Sequence, residues 1–419
     1  MTTTNSASSK QNKEEWTLQY PELGTGPLPT APYYEQDFYD QEVEKVFKKS
    51  WLFVGQIQQL ARPGDFFIRE MPFASTSVLV VKGADGEIRA FHNICTHRGN
   101  KLEWGSSGNC KGFVCKFHGW AFNTEGEVAR VTDEDNYFDL DKSNLGLPPI
   151  NVDVWENFVF INLEAKPSQS LSEYLGEWGR TTAGFPWDSF PCYTEYTGEV
   201  NANWKVVMDA FLETFHFGYI HRRTVASVFT TAEHPLGKMH AMQCLGPHGR
   251  LSTPGVNPDY VPSPVMLAAM NLVGRESDDR LAGERSTLSD TAPGINPAKV
   301  EDWVTDMNLI FPNLQIQVFD NLYLIYVFWP VARDKTIFEL RYFYSEPETA
   351  KEAFAIEVQT CDFRDVFLED LATNEQTQKA LDSGALQSIQ LHDREIMIRH
   401  WHRTLQGLLQ ANSSAGESI

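Results

Sequence analysis

The sequence predicts an α+β protein with an N-terminal arm and two domains. From residue 48 to residue 165, short apolar segments alternate with turns such as Asp85-Gly86 and Glu125-Gly126, a pattern typical of β-hairpins. From residue 166 to residue 419 the pattern changes to helix-like segments and longer strands, which predicts a sheet covered by helices. Residues 1–47 form the arm, which we expect to pack on the second domain through a helix.

The individual elements follow from local patterns. Apolar residues at helical spacing predict a helix over 34–49, and alternating apolar residues predict strands at 66–71, 77–82, 87–94, 112–117 and 158–163. The second domain shows helical spacing over 171–180, 208–220 and 351–409, and strands at 315–319, 322–329 and 337–344. Residues 234–297 hold much of the Pro and Gly of this half, so we expect an irregular stretch there and a mixed sheet overall.

Composition excludes several classes of function. The net charge of −21, from 35 basic and 56 acidic residues, argues against nucleic-acid binding, which needs a basic surface. The sequence has no run of eighteen apolar residues, so we expect no membrane span. Residues 1–15 are polar and lack the apolar region of an export signal. Six cysteines in 419 residues do not form a disulfide framework. We therefore expect a cytoplasmic protein.

Two short runs contain metal-binding side chains. They are Cys95-Thr96-His97-Arg98-Gly99 and, separated from His97 by seventeen residues, Cys115-Lys116-Phe117-His118-Gly119-Trp120. Two thiolates and two imidazoles suit a [2Fe-2S] centre in which His replaces Cys on one iron, and they also suit a structural zinc site. Zinc sites usually pair Cys with Cys and His with His, whereas each run here supplies one of each. The pattern therefore favours the cluster, with Cys95, His97, Cys115 and His118 as its ligands, and it resembles the Rieske family.

A second group of motifs lies in the second domain. Asn203-Trp204-Lys205 is followed by the segment 213–221, in which His216 and His221 are five residues apart. On an ideal helix these side chains stand about 140° apart, so they share a metal only if the helix is distorted or ends before His221. Gly218 makes such a distortion plausible.

Together, the two groups resemble the catalytic α-subunits of Rieske non-haem iron oxygenases. The resemblance implies that the second domain has a curved antiparallel sheet covered by helices, the helix-grip or START-like arrangement. It also implies that His216 and His221 bind a mononuclear Fe(II), with a carboxylate completing a 2-His-1-carboxylate triad. We expect that carboxylate to be Asp370, because Glu369-Asp370 and Glu375-Gln376-Thr377-Gln378 match the family pattern E-D-x4-E-x2-Q. Glu369, Asp365 and Glu375 are the rival ligands.

The resemblance also implies a role for Glu213. Many members carry Asp at this position, where it hydrogen-bonds the iron-ligand His and bridges to a cluster-ligand His of a neighbouring subunit. Glu also occurs in relatives that act on quaternary ammonium compounds. The implied assembly is a homotrimer, in which such a bridge carries electrons between subunits.

The implied reaction is an oxygenation that uses O2 as co-substrate and electrons from NAD(P)H. The chain has no Gly-rich dinucleotide motif after a strand, so we expect a separate flavin reductase, possibly with a ferredoxin, to supply the electrons. Large apolar side chains near the ligands suggest an aromatic or other apolar ring substrate. The candidate substrate-binding residues are Met208, Phe211, Phe217, Phe319 and Phe328. The alternative is a monooxygenase that acts on a quaternary ammonium compound or performs N- or O-demethylation.

Overall fold

The computed structural model describes residues 16–254, 257–273, 290–301, 303–319 and 321–414. The polar segment 1–15 and part of the stretch 234–297 lie outside the described residues. The α+β fold class is confirmed, with an all-β domain preceding a domain of one large sheet and helices.

The N-terminal arm contains α1 (Trp16–Gln19), β1 (Leu28–Pro29), α2 (Ala31–Tyr34) and α3 (Gln36–Lys45). The helix predicted over 34–49 is therefore shorter and is preceded by a separate turn of helix, because Glu35 takes extended backbone angles between α2 and α3. The arm packs on the second domain. Asp393 accepts hydrogen bonds from the backbone N–H groups of Trp16 and Thr17, both at 2.8 Å.

The first domain is built from antiparallel strands. They are β2 (Leu52–Gln56), β3 (Asp65–Met71), β4 (Thr76–Lys82), β5 (Ile88–His92), β6 (Ser107–Asn109), β7 (Phe113–Val114), β8 (Ala121–Phe122), β9 (Val128–Arg130), β10 (Pro149–Trp155) and β11 (Phe158–Asn162). One sheet has the order β2-β11-β10-β5-β4-β3-β6, and a smaller one has the order β7-β8-β9. The strand predicted over 112–117 is short because the chain turns at Cys115 into a ligand loop.

The second domain carries a seven-stranded sheet. Its elements are α4 (Leu171–Thr182), β12 (Cys192–Val200), α5 (Trp204–Asp209), α6 (Phe217–Ile220), α7 (Ala226–Phe229), β13 (Ala241–Leu245), β14 (His248–Pro254), α8 (Pro264–Val273), β15 (Trp303–Ile310), β16 (Leu314–Phe319), β17 (Leu322–Ala332), β18 (Lys335–Tyr344), α9 (Ala350–Leu381), β19 (Ser388–Ile389) and α10 (Ile396–Ser414). The sheet order is β12-β18-β17-β16-β15-β14-β13, and β19 pairs with β1 of the arm. Helices α5 and α9 lie beside each other next to this sheet.

The sheet differs from the sequence prediction in two ways. Every strand pair that the structure describes in it is antiparallel, so the mixed sheet expected from the residue pattern is wrong, and the antiparallel sheet implied by the family resemblance is confirmed. The stretch 234–297 is not wholly irregular, because it contains β13, β14 and α8. The sequence did not predict strand β14, because the strand buries the polar side chains of His248, Arg250 and Ser252, which interrupt the apolar pattern. Each is satisfied; Arg250 Nε, for example, donates to Asn308 Oδ1 at 2.9 Å.

Two predicted helices are also broken. The helix expected over 208–220 is divided, since α5 ends at Asp209 and α6 begins at Phe217. The helical tail expected over 351–409 consists of α9 and α10, separated by a turn in which Gly384 has φ of 64°. That left-handed backbone conformation favours glycine and ends the helical run.

The two domains share a hydrophobic core. The same cluster of buried side chains contains Phe53 and Phe158 of the first domain and Trp187 and Tyr323 of the second. Polar contacts cross the same boundary, including one from Gln56 Nε2 to the Tyr323 hydroxyl at 2.9 Å. No helix among the described residues is long and apolar enough to span a membrane.

Candidate metal centres

The two Cys/His runs of the first domain form a matched pair of loops. In each loop the Cys carbonyl accepts a hydrogen bond from a Gly N–H four residues later, at 2.9 Å from Gly99 to Cys95 and at 2.9 Å from Gly119 to Cys115. Both glycines have positive φ, 75° and 74°, which explains why Gly follows each ligand run. The two loops therefore have similar backbone shapes. They differ in spacing, since His97 comes two residues after Cys95 and His118 comes three residues after Cys115.

The four side chains converge between these loops. Cys95 and Cys115 are buried, and the rings of His97 and His118 lie 4.6 Å apart between centroids. Burial raises the pKa of the Cys95 thiol, whereas at Cys115 the N–H groups of the loop outweigh burial and lower the pKa. The Nδ1 atom of His97 is buried and has no hydrogen-bond partner among the described residues. Two buried thiols beside an imidazole nitrogen that lacks a hydrogen-bond partner among the described residues fit a metal cluster at this position.

A second convergence lies in the second domain. The Nε2 atoms of His216 and His221 are 3.1 Å apart, and Asp370 Oδ1 lies 3.4 Å from the first and 3.2 Å from the second. Together these three side chains could each offer one ligand atom to a single metal ion. Among the described residues, no other three His, Cys, Asp or Glu side chains place their ligand atoms all within 4.8 Å of one another.

The chain reaches this geometry by ending a short helix between the histidines. His216 precedes α6 and His221 directly follows it, so the two need not share one helical face. Gly218 contributes differently from the expectation. A Cβ atom there would lie 2.7 Å from the carbonyl oxygen of Pro235, so glycine permits close approach of the 234–237 segment. The sequence reasoning thus identified the residue but not its physical role.

Each histidine is held by its own carboxylate. His216 Nδ1 lies 2.5 Å from Glu213 Oε1, and His221 Nδ1 lies 2.9 Å from Glu369 Oε2, which also accepts from the Thr224 hydroxyl at 2.7 Å. Burial acts to lower the pKa of both imidazoles, but the carboxylates outweigh it and raise the pKa of each. Bonds at Nδ1 direct both Nε2 atoms toward Asp370.

The structure separates Asp370 from its rivals. Asp370 is 3% exposed, burial raises its pKa, and its Oδ1 has no hydrogen-bond partner among the described residues although both imidazoles face it. Asp365 is exposed and pairs with Arg364 at 2.8 Å. Glu375 Oε1 accepts from the backbone N–H of Asn201 at 3.0 Å. Glu369 is occupied by His221, a contact that the E-D pattern alone does not reveal.

Apolar side chains surround the ligand segment. Phe211 packs against Tyr326, Phe328, Phe338 and Phe367, with ring centroids 5.2 to 5.8 Å away. An adjoining cavity of about 10 Å³, room for about one water molecule, is lined by Phe211, Leu212, Leu251, Met307, Leu309, Gln315 and Met397. Gln315 donates to the Phe211 carbonyl at 2.9 Å, and its buried Oε1 has no hydrogen-bond partner in the described part of the chain.

Of the five candidate substrate-binding residues, only Phe211 lines this cavity. Met208 is fully buried in α5, and Phe328 lies in the aromatic cluster beside Phe211. Phe217 packs on His216, with ring centroids 5.2 Å apart, and Phe319 packs against Phe363. Sequence reasoning missed the sheet residues of the lining because ordinary core strands carry the same apolar side chains.

Family comparisons agree with both centres. The model of the Rieske [2Fe-2S] domain matches residues 50–149, and the model of the ring hydroxylating alpha subunit (catalytic domain) matches residues 188–411. The chain belongs to the family of ring hydroxylating alpha subunits. This membership favours a [2Fe-2S] cluster over zinc in the first domain and an iron centre in the second.

Individual relatives of this alpha subunit carry several activities in their names. Chloroplastic choline monooxygenase of Spinacia oleracea is 31% identical over 53% of this chain and 51% of its own length. Biphenyl 2,3-dioxygenase subunit alpha of Rhodococcus jostii is 33% identical over 46% of this chain and 43% of its own length. The chain thus spans about half the length of the curated relatives it matches. A solved quaternary ammonium Rieske monooxygenase shares the fold, with a TM-score of 0.72, 21% identity and coverage of 92% and 95% of the two chains.

Proposed function

We propose that this chain is the oxygenase component of a multicomponent Rieske non-haem iron oxygenase that hydroxylates an aromatic or other apolar ring substrate. The observation that carries the proposal is the convergence of His216, His221 and Asp370 in a chain that also holds the two Cys/His loops. A bound Fe(II) at this triad supplies dioxygen activation.

The protein residues divide the remaining work. His216 and His221 would hold the iron through Nε2. Glu213 and Glu369 accept hydrogen bonds from the Nδ1 atoms of these two histidines, which keeps the proton on Nδ1 and fixes the plane of each ring. Asp370 would supply a negative charge that is costly to bury without a cation nearby. With only these three side chains as ligands, a bound iron would keep positions free for O2 and substrate.

The electrons must come from a partner. We propose NAD(P)H as their source, with a flavin reductase and possibly a ferredoxin delivering them to Cys95, His97, Cys115 and His118, which would hold the cluster. The free cysteines agree with the reducing cytoplasm that we propose as the location.

We further propose a homotrimer in which Glu213 links the two kinds of centre between subunits. Its carboxylate is 6% exposed and already accepts from the N–H groups of Phe215 and His216 besides the His216 ring. Its position is therefore fixed before any partner arrives, as a rigid electron path requires.

Glu213→Gln tests this link. The substitution keeps the size but removes the charge, so both metal sites should fill while turnover falls at least tenfold, about 1.4 kcal/mol or more in barrier. The measurement is single-turnover reoxidation of the pre-reduced cluster with substrate and O2, and Glu44→Gln at an exposed site is the control. A wild-type reoxidation rate in Glu213→Gln, or a fully active monomer, would contradict the link.

The chemistry of the cavity lining supports the apolar substrate, which would enter only as the lining side chains move apart. The lining contains aromatic, aliphatic and thioether side chains and no charged group. Gln315 Oε1 offers one buried acceptor, so a ring that carries a hydroxyl or amine donor would satisfy it. A cation placed there would find no carboxylate among the lining residues.

A quaternary ammonium substrate is the second candidate. It is favoured by the names of choline monooxygenase and the quaternary ammonium Rieske monooxygenase. In that case the cation would sit against the aromatic cluster beside Phe211, where ring faces can replace a carboxylate.

A substrate panel separates the two candidates. Purified holoprotein with a surrogate reductase is offered substituted aromatic rings and quaternary ammonium compounds under labelled O2, and products are identified by mass. Labelled hydroxylated rings support our proposal, and oxidation of the ammonium compounds alone replaces it with the second candidate. NADH consumption without a labelled product from any compound counts against oxygenation altogether.

A further inference from the structure

A strap over the first domain covers one side of the ligand loops. We define the strap as residues 132–146, between β9 and β10. The Thr96 hydroxyl, beside Cys95, donates to the strap carbonyl of Leu145 at 2.6 Å. A short helical turn, Glu134–Asn136, precedes Tyr137, whose N–H donates to the carbonyl of Glu134 at 3.1 Å. The strap is thus anchored to a ligand loop near its C-terminal end and folded into a local turn just before Tyr137.

Tyr137 is the strap residue that reaches a proposed cluster ligand. Its hydroxyl oxygen lies 3.3 Å from His97 Nε2 and accepts a hydrogen bond from Trp120 Nε1 at 3.2 Å. The Trp120 ring is stacked on His97, with centroids 4.9 Å apart and planes at 9°. His97 is therefore held by stacking on one face and by a hydroxyl at its outer nitrogen.

The direction of the contact follows from the donors available. Trp120 Nε1 only donates, so it occupies one lone pair of the Tyr137 oxygen. The Nδ1 atom of His97 is buried and has no partner among the described residues, so it is the nitrogen that would bind the cluster. The proton of a neutral His97 then lies on Nε2 and is donated to the second lone pair.

The other histidine lacks this tether. Within the part of the chain that the structure describes, the His118 ring contacts the His97 and Phe117 rings but makes no hydrogen bond. The two imidazoles therefore differ in hydrogen bonding, because the Tyr137 hydroxyl contacts the His97 ring and not the His118 ring.

We propose that Tyr137 is a positioning residue that fixes the plane of His97 and lowers the reduction potential of the cluster. An acceptor at the outer nitrogen makes an imidazole ligand more electron-rich, which favours the oxidised cluster over the reduced one that carries an extra electron. That electron comes from the reductase, and no bond to Tyr137 forms or breaks. The inference rests on the proposed function only in requiring a [2Fe-2S] cluster at these four residues.

Tyr137→Phe is the direct test, because it removes the hydroxyl and keeps the ring. Purified holoprotein should keep its iron and sulfide content while the midpoint potential moves to a more positive value and the g-values of the reduced cluster change. Tyr193→Phe, at an exposed position of β12, is the control and should leave the potential unchanged. An unchanged or more negative potential in Tyr137→Phe would overturn the proposal.

A second measurement does not depend on the folding of a variant. Tyr137 is the only tyrosine between residues 48 and 165, so replacing all tyrosines by 3-fluorotyrosine changes one hydroxyl near the cluster. Fluorine weakens the oxygen as an acceptor, so the potential should shift in the same direction by a smaller amount. No shift would count against Tyr137 as the cause. Wild-type protein without a [2Fe-2S] spectrum would instead reject the proposed function itself.

Discussion

Glu369 offers the sharpest test of the proposed iron centre, because the sequence presents it as a rival ligand and the structure gives it another task. Its carboxylate accepts from His221 Nδ1 at 2.9 Å and from Thr224 at 2.7 Å. His221 is 1% exposed and the Glu369 side chain is 23% exposed, so Glu369→Ala would replace a fixed carboxylate acceptor with at most a mobile water. Removing such a partner typically weakens metal binding 10- to 100-fold, about 1.4 to 2.7 kcal/mol. Glu369→Gln keeps an acceptor oxygen and should lose less than about tenfold.

The assay is an anaerobic Fe(II) titration against a chromophoric chelator, with the cluster absorbance counting folded chains. Glu375→Ala is the matched control, because Glu375 lies on the same helix but binds Asn201 at the protein surface. A dissociation constant for Glu369→Ala within twofold of wild type would refute the positioning role. Complete loss of iron in Glu369→Ala, together with normal iron in Asp370→Ala, would show that Glu369 is the third ligand.

Three further predictions follow from buried groups. Asp370→Ala should lower iron from about three to about two per chain, with the cluster spectrum unchanged, as measured by metal analysis. Lys205 and Glu42 form a fully buried ion pair at 2.7 Å. Lys205→Met should therefore lower the free energy of unfolding, measured in urea, by about 3–5 kcal/mol, and the double variant with Glu42→Leu should recover much of that loss. Burial, together with nearby carboxylates, raises the pKa of Glu395 from 4.5 to about 7. An acid with a raised folded-state pKa costs stability as it ionises, so the melting temperature should fall between about pH 4.5 and 7, and Glu395→Gln should flatten that part of the profile.

The sequence pointed to the proposed ligands because most of them lie in short contiguous runs. Cys95 and His97 are two residues apart, and the loop that holds them depends on a local hydrogen bond to Gly99. Local geometry of this kind can be read from a motif. The triad was harder, since Asp370 comes from a helix about 150 residues away from His221 and only a family pattern pointed to it.

The remaining features depend on contacts between distant segments. The buried polar strand β14 is stable only because partners such as Asn308 and Thr182 surround Arg250. The Glu369 contact, the Tyr137 contact and the cavity lining likewise arise from tertiary packing, for which a sequence pattern carries no signal. The region of the divided helix at 208–220 also contacts a distant segment, since Gly218 of α6 lies against the carbonyl oxygen of Pro235.

The shared core has a consequence for engineering. Arg69 of β3 pairs with Glu339 of β18 at 2.5 Å, and Gln56 of β2 bonds Tyr323 of β17, so the first domain has a face that matches one particular sheet. A cut near residue 165 would expose apolar side chains on both fragments, and separately expressed halves would aggregate. Chimaeras that exchange the electron-accepting half for that of a relative must therefore transplant the facing residues of β17 and β18 as well. In this chain, one domain can be exchanged only together with the residues of the other domain that it contacts.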